Sequence, residues 1–183
     1  MKRVIVALLM VMSMALAACG GQTGSAVFTV DANGNYTGFA DLPEHVSVED
    51  AEKAGYVVRQ GIDMVANEDV WQRFVETAAA GEDAGVRIAN FYKEGAEGPY
   101  YTDLFCQDGQ YYLFDSTAEE QKSEPYEFML TLTGQFGNPQ QDGGVVVLTN
   151  DDTLTFEMVM GLMLSSSTEF IESVPPHRLV MFL

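Results

Sequence analysis

The sequence predicts an α+β fold, a mainly antiparallel β-sheet with two or three helices packed on one face. Three observations carry that prediction. Residues 86–115 form a series of short β-rich runs separated by turn residues. Around residues 67–80, Val70, Trp71, Phe74, Val75 and Ala78 fall at i, i+1, i+4, i+5 and i+8, one face of a helix. A second helical period follows Thr155, with Phe156, Val159, Met160, Met163 and Leu164 at i, i+3, i+4, i+7 and i+8.

In chain order, the first element is an export signal. Lys2 and Arg3 precede an apolar stretch, Val4 to Ala15, broken only by Ser13, and Leu16-Ala17-Ala18-Cys19 is followed by two glycines. A charged start, a short apolar run and small residues before the cut describe residues 1–18 as a signal peptide. A membrane span needs about 20 apolar residues, and this run is too short. Leu-Ala-Ala-Cys resembles the bacterial lipobox. That resemblance implies a diacylglyceryl group (chains of the palmitate kind) on the Cys19 thiol and cleavage that leaves Cys19 as the new N-terminus. The expected place is the extracytoplasmic face of the cell membrane, and the expected membrane partner is reached through the lipid on Cys19.

Residues 19–25 read as a lipid-anchored tether and residues 26–183 as one α+β domain. Asn-Gly in Asp31-Ala32-Asn33-Gly34-Asn35 predicts a hairpin between Val27–Val30 and Tyr36–Phe39. The same run resembles a calcium loop, but Tyr36 stands where glycine is needed and Leu42 where a bidentate Glu belongs. Ser47-Val48-Glu49-Asp50 predicts a capping box opening a short helix that stops at Gly55. Tyr56-Val57-Val58 is a short apolar run. Glu68 and Asp69 favour the start of the 67–80 helix, and Gly81 closes it. Trp71 is expected in the core.

Val86–Tyr92, Tyr100–Cys106 and Gln110–Phe114 are expected strands, with Asp108-Gly109 as the tight turn between the last two. Tyr126–Thr133 is a fourth. Residues 135–144 (QFGNPQQDGG) read as a loop by composition, and Val145–Thr149 as an apolar run ending in a turn. Thr155 is the expected N-cap of the helix that follows. Pro175-Pro176 breaks the chain before a final strand over 178–183.

The 183 residues (20.0 kDa) hold 27 Asp+Glu against 9 Lys+Arg, a formal charge of −18. Loss of residues 1–18 removes two of the bases and no acid, leaving 27 against 7, or −20. At 47% apolar residues the chain is too hydrophobic for acidic disorder, and its charge repels nucleic acid. There are two cysteines, so a lipidated Cys19 leaves Cys106 without a disulfide partner.

Ala51, Gly55, Val57-Val58, Asn67, Trp71, Phe74, Val86-Arg87-Ile88, Glu94-Gly95, Asp103-Leu104, Asp108-Gly109 and Asp115 follow one another in a familiar order. Over residues 50–120 the chain resembles a domain of unknown function, number 4362 in its series, found in lipoproteins of Gram-positive bacteria. Phe91-Tyr92-Lys93-Glu94-Gly95-Ala96 lacks the family's Thr and Asp, and the Asp103–Gly109 turn is one residue longer than the family's. The resemblance implies a surface lipoprotein and transfers no activity.

No nucleophile elbow, phosphate-binding loop or zinc motif occurs. His45 and His177 are isolated, and Ser165-Ser166-Ser167 reads as a polar helix end. No catalytic residue, cofactor or metal ligand is expected. Arg87, one of few bases and within a strand, is expected to pair with a neighbouring acid, with an anion site as the alternative. Tyr92, Tyr100, Tyr101, Tyr111 and Tyr112, with Tyr126, offer either cross-strand pairs or an outward platform for a protein or sugar. The expectation is a non-catalytic binding or accessory module for a protein, peptide or envelope ligand. A cation-responsive surface protein and an enzyme without a recognisable motif are the alternatives.

Overall fold

A computed structural model of the chain describes residues 28–43, 45–92 and 98–183. Cys19 and the export signal lie outside the described residues. The elements are α1 (Val48–Lys53), β1 (Val57–Gln60), β2 (Asp63–Ala66), α2 (Glu68–Ala79), β3 (Ala84–Phe91), β4 (Tyr100–Gln107) and β5 (Gln110–Asp115). They continue with β6 (Phe128–Phe136), β7 (Gln141–Thr149), α3 (Phe156–Leu164), α4 (Thr168–Ser173) and β8 (His177–Phe182).

The fold is α+β with mainly antiparallel strands. The strands form two sheets rather than one, ordered β2-β1-β3-β4-β5 and β6-β7-β8. Among the described residues only β1 and β3 pair in parallel, joined through β2 and α2. The helices are spread over several layers, because both sheets are apolar on both faces and each face needs a cover. Val57, Val86, Ile88, Leu104 and Leu113 on one face of the first sheet pack with α2 and with Val146, Leu148 and Met181 of the second. Its other face is covered by α1 and residues 28–43, around Val58, Ala89, Tyr101, Phe105 and Phe114. The far face of the second sheet, Val145 and Val147, is covered by α3.

Local signals explain most elements. Ser47 and Asp50 cap α1 reciprocally, and Gly55 follows with φ 78°. Trp71, Phe74 and Ala78 bury the expected face of α2. Its N-cap, Asn67, sits at φ 58° and makes no side-chain cap; its Nδ2 donates instead to the carbonyls of Glu52 and Tyr56, fastening α2 to the end of α1. Asp108 (φ 52°) and Gly109 (φ 74°) make the β4–β5 turn. Thr155 Oγ1 accepts from the Met158 N–H and opens α3.

Four segments depart from the sequence reading. Residues 28–39 form no hairpin. The Asp31 carboxylate accepts from the Asn33 and Asn35 N–H groups and from Asn35 Nδ2, closing a turn on itself. Phe28, Tyr36 and Phe39 then all enter the same core cluster. Residues 63–66, unassigned from sequence, are β2. The expected loop over 135–144 is instead the hairpin of β6 and β7, whose ladder runs to Phe136 and Gln141. Ser165-Ser166-Ser167 does end α3, but Ser167 also caps a further helix, α4.

Candidate functional site

The first sheet carries its tyrosines on two faces, so they do not form one platform. Tyr101 is 4% exposed and packs edge-on against Tyr56, beside α1. Tyr112 stacks on Phe105 on that same side. Tyr111 packs on the opposite face beside α2. Tyr92, 65% exposed, pairs with Tyr100 at a ring separation of 5.5 Å and is the outward remainder of the row.

Arg87 is not free to bind an anion. Its Nε donates to Asp103 Oδ1 at 2.7 Å and its Nη2 to Asp103 Oδ2 at 2.5 Å and to the Gly38 carbonyl. The Tyr36 hydroxyl donates to the same Oδ2 at 2.5 Å. Both charged side chains are buried, and the pair is placed by the β3–β4 register, where Arg87 faces Asp103. Burial opposes the charge on Arg87, yet the Asp103 carboxylate outweighs it and holds the guanidinium above its ordinary range.

A second arginine, missed from sequence, has a different setting. Arg59 ends the run Val57-Val58-Arg59, and alternation puts it on the face of Val57, toward the second sheet. It is 7% exposed. Its Nη2 donates to the carbonyls of Ile62, at 2.8 Å, and Phe182, at 3.1 Å, bracing the β1–β2 turn against the end of β8. Nε has no hydrogen-bond partner among the described residues. Among the described residues no carboxylate comes within ion-pair distance of the guanidinium. Burial pushes it below its ordinary range, with Tyr100 and Asp63 acting in the opposite sense from farther off.

Arg59 lines a cleft of 470 Å³ between the two sheets and α2. Trp71, Met64, Val75 and Met181 give it apolar walls, Thr131 and Gln72 add polar side chains, and Asp63 and Glu68 are exposed acids among its lining residues. Both edge strands that frame the cleft carry irregularities, β2 beside Val58/Arg59 and β8 beside Val146/Val147. Bulges of this kind re-aim side chains next to sites. An under-compensated guanidinium beside apolar walls can take a carboxylate through charge-assisted hydrogen bonds.

The calcium-like loop offers its oxygens to itself. Among the described residues no group of three His, Cys, Asp or Glu side chains is placed to hold a metal ion. His45 is exposed, and His177 Nδ1 lies 2.9 Å from the Pro175 carbonyl.

No family model, no curated protein and no solved structure matches this chain. The comparisons lend no support to the resemblance over residues 50–120.

Proposed function

We propose that this chain is a lipid-anchored, extracytoplasmic binding module whose Arg59 cleft holds a small zwitterionic ligand, an amino acid or short peptide with an apolar side chain. The observation that carries this reading is the buried Arg59 guanidinium with its unpaired Nε in an apolar-walled cleft. A buried cation with no carboxylate at ion-pair distance among the described residues is costly, so an arriving carboxylate gains more here than at the surface. Glu68 suits an ammonium at the mouth, and Trp71 and Met64 suit an apolar side chain between the two ends. The strongly acidic exterior disfavours polyanions and leaves a ligand of balanced charge. Anchoring rests on the lipobox-like Leu16-Ala17-Ala18-Cys19, which would hold the module near envelope peptides.

The test is a thermal-shift comparison of Leu-Leu with its C-terminal amide and its N-acetyl form. A ligand that binds only the folded state raises the melting temperature. The free dipeptide should raise it, and the amide should not.

A further inference from the structure

α3 and α4, which cover the far face of the second sheet, carry exposed apolar side chains on their outer side. Leu164 is 82% exposed, Met163 49% and Ile171 45%. All three lie on α3 and α4. A depression of 300 Å³ is lined by Gly161, Leu164, Ser165 and Phe170. Gly161 creates it: a Cβ there would come within 2.6 Å of the Phe170 ring, so the glycine lets α4 lie close across α3. Isolated exposed apolar residues mean little, but a contiguous set around a groove marks a contact surface. Met163 supplies a flexible exposed side chain that can repack around a partner.

The charge around this surface selects the occupant. From Ser123 to His177 the chain has eight Asp/Glu and no Lys or Arg. Glu157, Glu169 and Glu172 are exposed on α3 and α4 themselves. The next base, Arg178, sits opposite Leu148 in the β7–β8 ladder, on the face turned away from α3. An apolar groove on two helices whose charged residues are all acidic repels a second copy and an anionic bilayer alike. We propose that the α3–α4 surface docks an amphipathic helical segment of a partner protein, apolar on one face and flanked by Lys or Arg. Helix-in-groove recognition supplies the apolar anchors, and the rim supplies orientation and rate.

The test uses the mature chain carrying Cys19→Ser, titrated by fluorescence anisotropy with a labelled amphipathic Leu/Lys helical peptide and its Leu/Glu counterpart. The Leu/Lys peptide should bind at least about tenfold more tightly. Met163→Asn with Leu164→Asn, both at exposed positions and so of small cost to folding, should weaken it by about tenfold. Val65→Asn, an exposed apolar site elsewhere, should leave it unchanged. Binding of both peptides alike, or binding insensitive to the paired Asn variant, would overturn the proposal. So would a dimer in sedimentation, or capture on phosphatidylglycerol vesicles, that the paired Asn variant abolishes, since these would assign the surface to a second copy or to lipid.

Discussion

Arg87 and Asp103 face each other across β3 and β4 in a two-point ion pair, with side chains 4% and 0% exposed, closed on top by the Tyr36 hydroxyl. This pair fixes more than two strands. Tyr36 belongs to the segment that covers the outer face of the first sheet, and the Gly38 carbonyl accepts from the same guanidinium. The polar network is thus the clasp that holds residues 28–43 on the sheet.

Removing one partner should be worse than removing both. Arg87→Met leaves a buried carboxylate, a change that costs about 3–5 kcal/mol. Arg87→Met combined with Asp103→Leu removes both charges and should recover much of that loss. Denaturant unfolding of the two single variants and the double variant measures it. Additive losses would show that the pair is not coupled.

Alkaline pH should unfold the clasp. Burial first, and the Asp103 charge second, push the Tyr36 phenol well above its ordinary value of 10.0. A phenol raised on folding contributes stability that is fully present below the unfolded value. That contribution is lost as pH climbs from about 10 toward the folded value. The melting temperature should therefore fall above pH about 10, and fall less in Tyr36→Phe. Ionisation of all eight tyrosines in one step near that pH, with the fold intact, would contradict this.

Cys106 is 2% exposed, and burial pushes its thiol up. In a Cys19→Ser chain, iodoacetamide should leave it unmodified in buffer and modify it in denaturant, as mass spectrometry would show. Rapid labelling of the native chain would mean that β4 opens at β5.

Cys19→Ala should move the protein from the membrane fraction to unprocessed precursor or medium. Metabolic labelling with palmitate follows the lipid directly. A mutant that still carries label would sink the lipobox reading.

Helices and their ends were the most legible parts of the sequence. The capping box at Ser47–Asp50, the α2 stripe and the Thr155 cap depend on neighbours within a few residues, so a linear reading finds them. The β6–β7 hairpin was illegible because its glycines imitate a loop. They are there for space: a Cβ on Gly134 would strike Phe156, on Gly143 Phe136, and on Gly144 would crowd Leu183. The division into two sheets was hidden too, since Val145–Thr149 reads as buried without saying which strands flank it. Arg87 was legible as a base inside a strand. Arg59 was not, because its hydrogen bonds go to main-chain carbonyls, one of them 123 positions away. A base closing an apolar run was the only signal available.

The most direct test of the central claim, that Arg59 receives a carboxylate, is calorimetric titration of residues 19–183 carrying Cys19→Ser with Leu-Leu and with Leu-Leu amide. Loss of one charge-assisted contact to a buried guanidinium should weaken binding by at least about tenfold. Heat and a fitted affinity are expected for the free acid, and a clear loss for the amide. Equal affinity for the two forms, or no heat from either, would contradict it.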